Sequence, residues 1–218
     1  WHFHAMFTFV AGFLIAVISW LLPRKSMLGR LVWWSSMAFT LLAFGLLAYD
    51  ITLRCIITGR PPIKNLYDTF LFIAAFGVLT CVVVEWIMKT RIALALAPLC
   101  GAVLILLARS FELADGKDTM DPLMAVLDSN YWLATHVTSI NTGYAAGIAA
   151  AILANAWVLM RVFRVLPPSD PTMKQLIRAV YGVTCFSLLV SLFGTIYGGI
   201  WANDSSGRFW GWDPKETG

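Results

Sequence analysis

Charge is scarce in this sequence. Only 13% of its residues are Asp, Glu, Lys or Arg, against about a quarter in soluble globular domains. That scarcity excludes a soluble domain wrapped in a solvated polar shell. Four cysteines (Cys55, Cys81, Cys100, Cys185) stand singly, with no CxxC and no CxxCH. Dithiol redox chemistry and covalent haem carriage by this chain are thereby excluded, and each cysteine reads as a small buried hydrophobe. Histidine is rarer still, at three residues. No repeat of fixed period and no low-complexity linker divides the 218 residues.

What the chain has instead is apolar length. Hydrophobic residues make up 59% of it and the mean hydropathy is +0.75. Runs of about 20 apolar residues, enough to cross a bilayer, recur at about 5–22, 31–51, 68–88, 92–109, 131–160 and 177–200. In lipid every backbone polar group must be satisfied within the segment, so these runs predict helices. The expected fold is all-α: a polytopic transmembrane bundle of about six spans in a single membrane domain, residues 1–218. The chain opens on Trp1 and stops after Gly218, and reads as part of a longer polypeptide. Its first run, "WHFHAMFTFVAGFLIAVISWLLPRK", has no basic leader and no small-residue cleavage site, so it reads as a span rather than a signal peptide.

Charge orients the spans. One set of connections carries nine basic residues (Arg24, Lys25, Arg30, Lys89, Arg91, Arg161, Arg164, Lys174, Arg178) and two acids, Glu85 and Asp170. The other set carries seven basic residues and ten acids. The basic residues of the first set sit in short loops tight against helix ends, so that side is expected to be cytoplasmic. Both termini, the loop "TGRPPIKNLYD" and the acidic loop "FELADGKDTMDPLMAVLDSNYW" then share the outer face. Asn65 with Asp68 three residues on reads as a helix start, and Arg60 and Lys64 read as solvated loop charges.

His2 and His4, in "WHFH", read as part of an interfacial aromatic belt. His136 is different, because about 7 Å of helix rise separates it from Tyr131 and places it inside the fifth span. Its side of the helix continues through Ser139, Ile140, Gly143 and Gly147. Two readings stand on these residues: a small-residue packing face with His136 hydrogen-bonded across helices, or a metal or cofactor ligand.

The chain closes on "WANDSSGRFWGWDPKETG". Trp201, Phe209, Trp210 and Trp212 supply broad rings, Arg208 and Lys215 supply cations, and Gly207, Gly211 and Pro214 turn the backbone. A membrane girdle accounts for one or two of these rings but not for their density. The matching ligand is large, planar and apolar, with anionic edges and a metal centre. Haem satisfies each condition: rings stack on its macrocycle, cations pair its propionates and a histidine holds its iron. The competing classes are a transporter or binding protein for another planar anionic ligand, an electron-passing b-type cytochrome and a purely structural subunit.

This closing segment resembles the tryptophan-rich "WWD" signature of haem-handling proteins in cytochrome c biogenesis. Its "WGWDPKE" is most similar to the CcsA (ResC) branch of system II; CcmC and CcmF share the tryptophans but usually continue differently after "WD". "GRPPIKNLYDTFLF" and "DPLMAVLDSNYWLATHVTSINTGYAA" resemble the same branch, in the same order. The resemblance implies that His136 is an axial ligand of haem b iron. It also implies that Trp201, Trp210, Trp212 and Asp213 belong to an external haem-presenting segment beginning at residues 201–218. Ser206 stands where the family usually has tryptophan, and the family's second external histidine lies beyond Gly218. The resemblance further implies delivery of haem to the CxxCH thiols of apocytochrome c. The partners it implies are a CcsB (ResB)-type membrane subunit, a thioredoxin-like thiol reductant and membrane lipid, with no nucleic acid. The expected location is the bacterial cytoplasmic membrane, or the thylakoid membrane in a plastid or cyanobacterium.

Overall fold

The computed structural model describes residues 1–23, 26–116, 118–120, 129–167, 169–209 and 211. Among them there is no strand. The helices are α1 (His2–Trp20), α2 (Met27–Thr58), α3 (Leu66–Met88), α4 (Ile92–Asp115), α5 (Asn130–Trp132), α6 (Thr138–Val162) and α7 (Pro171–Ser206). A π-helical turn, Leu133–Val137, joins α5 to α6, so that Asn130–Val162 runs as one span. Among the described residues six helices are long and apolar enough to cross a membrane. The chain is an all-helical integral membrane protein.

Local chemistry starts and stops these helices. The Ser26 hydroxyl accepts from the Gly29 N–H at 2.9 Å, and the Asn65 side chain accepts from the Asp68 N–H at 2.9 Å. Asp170 accepts from the Thr172 N–H at 2.7 Å, with Pro171 in the first turn where its missing donor does no harm. Gly207, at φ 72°, takes the left-handed conformation that ends α7.

Three helices outrun their apolar runs: α4, which reaches Asp115, α2 and α7. α2 continues to Thr58, because the Arg54 guanidinium pairs with Asp68 at 2.8 Å and donates to the Thr119 carbonyl at 3.1 Å. α7 has 36 residues, about 54 Å at 1.5 Å each, and so projects well past the ~30 Å hydrocarbon core. Trp201 through Ser206 therefore belong to a helix, not to the loop that follows it.

The core centres on α3, where Tyr67, Leu71, Val78 and Cys81 are buried against Phe9 of α1, Leu47 of α2, Ile105 of α4 and Ala149 of α6. α7 lies outside this group, packed mainly on α6. In its most apolar stretch 17% of residues are buried, against 61% for α3.

Candidate functional site

The site begins with the π-turn. Widening one turn of a helix frees carbonyls from the regular ladder, and hydroxyl side chains can answer them. Here the Thr138 hydroxyl donates to the Leu133 carbonyl, five residues back, at 3.0 Å. Ser139 donates to the Thr135 carbonyl at 2.5 Å, and the Asn141 amide to the Val137 carbonyl at 2.8 Å. The "ATHVTSINT" composition thus supports a local irregularity that carries His136.

Small residues then let α7 approach closely. A Cβ at Gly194 would lie 2.8 Å from the Ile140 backbone nitrogen, and one at Gly147 would lie 3.0 Å from Ser187 Oγ. Ser187 donates to the Gly143 carbonyl at 2.8 Å, so the strip through Gly143 and Gly147 is a helix-packing face. His136 tops this strip. Its Nδ1 lies 2.7 Å from the Gly194 carbonyl oxygen. A carbonyl only accepts, so Nδ1 carries the proton and Nε2 keeps the lone pair. The half-buried ring rests on Gly198, where a Cβ would fall 2.5 Å from Cε1 and 2.9 Å from Nδ1.

Trp201, one turn beyond Gly198, brings its ring centroid to 5.8 Å from the His136 ring. Trp132, four residues before His136, lies 6.3 Å from Trp201 with the planes only 13° apart. Imidazole and two indoles therefore form one aromatic group at this end of α6 and α7. Phe209 folds back onto α7 over Gly199, and the exposed Arg208 guanidinium lies beside Gly211. Among the described residues, neither the Phe209 ring nor the Arg208 guanidinium makes a ring pair or hydrogen bond with His136. Trp210, Trp212, Asp213 and Lys215 lie outside the described residues.

The loop before α3 sits at the same end of the bundle. The Asn65 amide and the Arg54 guanidinium both donate to the Thr119 carbonyl, at 2.8 and 3.1 Å, and the Asn130 amide donates to the Gly59 carbonyl at 3.3 Å. These bonds tie "TGRPPIKNLYD" to the start of the acidic loop and to α5. Lys64 is not the solvated charge expected of it: Nζ is buried, with no hydrogen-bond partner among the described residues. Burial lowers its pKa; Asp68 opposes that shift, while Arg54 and Arg60 add to it. His2 also turns inward from the expected belt, with Nδ1 3.4 Å from Asp50 and 3.5 Å from the Tyr67 hydroxyl.

Trp132, Gly194 and Gly198 were not singled out from sequence. Trp132 had a usable signal, since four-residue spacing puts it above His136 on one helix face. The two glycines had none, because only the approach of α7 gives them a role.

The family model described as "Cytochrome C assembly protein" matches residues 63–218. The chain is similar to "Cytochrome c biogenesis protein CcsA" of Synechococcus sp. (strain CC9902), at 32% identity over 79% of this chain and 65% of the relative. It is also similar to the CcsA protein of Chlamydomonas reinhardtii, at 28% identity over 73% of this chain and 46% of that one. A third relative is "Protein NrfI" of Wolinella succinogenes, at 29% identity over 80% of this chain but 19% of the relative. The chain thus spans less than two thirds of the length of these relatives. With a family match running from the loop before α3 through the aromatic end of α7, the chain belongs to the cytochrome c assembly protein family, as a CcsA-type member.

Proposed function

We propose that this protein holds haem at the end of the bundle marked by His136 and presents it for covalent attachment to apocytochrome c. The observation that carries the reading is the His136 Nδ1–H bond to the Gly194 carbonyl. A ligand histidine commonly donates its other ring nitrogen to a carbonyl, which sets the tautomer and orients the ring. Here that leaves Nε2 as the electron-pair donor for iron. Trp132 and Trp201 supply apolar planes beside it. Trp210, Trp212, Phe209 and Asp213 would complete the platform, with Arg208 and Lys215 pairing the propionates. Haem b is cargo in this scheme, not a resident cofactor.

The chemistry asked of the protein is placement. An apocytochrome thiol adds across a vinyl double bond: the C–S bond forms at one carbon, the hydrogen goes to the other, and nothing leaves. The reaction needs the vinyl group and the thiol held together, and the tryptophan-rich segment beyond α7 is the element suited to present one edge of the ring. That end is assigned to the extracytoplasmic side, on the clustering of basic residues at the opposite helix ends. The protein would work with a CcsB-type membrane subunit and a thioredoxin-like protein that keeps the thiols reduced.

The same hydrogen bond also favours a second reading, in which His136 only locks α6 to α7. Purification of the full-length protein with His136→Ala, with and without added imidazole, separates the two. Loss of the haem absorption band and its return with imidazole is expected for a ligand. Unchanged haem content in the variant removes His136 from the site and leaves it a packing residue.

A further inference from the structure

At the opposite end of the bundle, the tips of α2 and α3 and the turn into α4 border a half-open cavity of about 310 Å³. Among the described residues its wall is Arg30, Trp33, Trp34, Trp86, Lys89 and Arg91: three cations, three indoles and no carboxylate. We propose that this cavity binds the phosphate headgroup of an anionic phospholipid, with Arg30 and Lys89 on the phosphate and Trp34 and Trp86 flanking the glycerol region.

The floor of the cavity is held rigidly. Trp33 Nε1 donates to Glu85 Oε1 at 2.9 Å, and the Arg91 backbone N–H donates to the same oxygen at 2.9 Å. The Arg91 guanidinium donates to the carbonyls of Ser19, Leu22 and Gly29, at 2.5, 3.0 and 3.1 Å, tying the α1–α2 connection to the α3–α4 turn. Arg91 is therefore a framing residue that adds positive charge to the wall.

Arg30 and Lys89 are unlike it. Both are exposed, and their side chains make no hydrogen bond or ion pair among the described residues. Lys89 sits at φ 52°, the left-handed position closing α3. Glycine is the default residue there, and a lysine in that conformation is uncommon. The conformation projects an unpaired ammonium at the cavity rim.

Trp34 and Trp86 are 53% and 57% exposed, with ring centroids 6.0 Å apart and planes at 73°. A plain interfacial belt explains two exposed indoles near helix ends. It does not explain indoles that bound a concavity together with two exposed cations, Arg30 and Lys89, that make no ion pair among the described residues. Basic pockets between transmembrane helices suit anionic headgroups, and arginine meets phosphate through two parallel donors. Indoles at headgroup depth favour a lipid over a dissolved anion, because they also meet the apolar part of the molecule. The inference stands apart from the haem reading and shares no residue with it.

The test titrates the full chain in detergent with phosphatidylglycerol, phosphatidylcholine and inorganic phosphate, counting retained molecules by native mass spectrometry. Phosphatidylglycerol is expected to be retained about tenfold better than phosphatidylcholine, a difference of ~1.4 kcal/mol. Arg30→Gln combined with Lys89→Gln should remove that preference, and Trp34→Ala should weaken retention of phosphatidylglycerol several-fold. Circular dichroism checks that the double variant remains helical; if it does not, Trp34→Ala alone decides. Equal retention of both lipids, or undiminished retention in the variants, overturns the proposal. Displacement of the lipid by inorganic phosphate overturns it too, and marks a soluble-anion site instead.

Discussion

The two ends of the bundle treat their polar groups in opposite ways. At one end, Glu85 is fully buried and receives donors from Trp33 and the Arg91 backbone, while the Arg91 guanidinium satisfies three carbonyls on neighbouring connections. At the other, one imidazole is fixed at Nδ1 by Gly194, lies half-buried over Gly198 and keeps a lone pair at Nε2. The first arrangement uses charge to hold helices together. The second uses missing side chains to let helices approach, and keeps a functional group oriented without enclosing it. The difference teaches where each end is sensitive: the Glu85 end to loss of an atom, the His136 end to gain of one.

The largest effect is expected from Glu85→Ala. It leaves the part-buried Trp33 indole N–H without its acceptor and strands the buried Arg91 amide N–H, the latter at about 1–3 kcal/mol. Thermal unfolding in detergent should register a loss of that order, and little protein should accumulate in the membrane. Normal accumulation and an unchanged melting temperature would erase the contrast between the ends.

Gly198→Leu should act in the opposite manner. The added side chain displaces the His136 ring, so haem retained by the full-length protein should fall by roughly 10–100-fold, as when the support of a metal ligand is lost. Membrane insertion should persist, because Gly198 lies on the loosely packed α7. Equal haem content in variant and wild type would show that the approach of α7 to the imidazole is not needed.

Trp201→Ala is expected to weaken haem retention only several-fold, since an aromatic pair contributes about 0.5–1.5 kcal/mol beyond its buried area. The smallest effect belongs to Lys64→Met. Burial lowers the Lys64 pKa from 10.5, so the folded protein binds fewer protons than the unfolded chain between the lowered value and 10.5. Wild-type stability should therefore rise slightly with pH through that window. Subtracting melting curves of Lys64→Met from wild type isolates the slope; a slope of the other sign contradicts the buried position of Nζ.

The six spans were legible because lipid imposes a length and a hydrophobicity that any helix must meet. The ends were less so. Hydropathy stops α2 near residue 51, but Arg54 stays helical through its pairing with Asp68 and Thr119, which come from two other segments. It stops α7 near residue 200, yet Ala202–Ser206 remain helical, since a helix beyond the apolar layer no longer requires apolar side chains. His136 and Trp201 drew notice because an imidazole within a span and a dense run of indoles are rare. Trp132 was hidden by its ordinary place at a helix end, and Glu85 and Arg91 by looking like loop charges.

Composition and order alone determined that this chain lives in a membrane and how many times its apolar runs can cross it. They did so because burial in lipid and the scarcity of polar groups act on each segment separately. The tertiary structure decided which nitrogen of His136 bears the proton, which glycines admit it, and that Glu85 and Arg91 brace one end. Those outcomes depend on atoms from helices far apart in the chain, and only their meeting sets the distances on which a hydrogen bond or a steric clash depends.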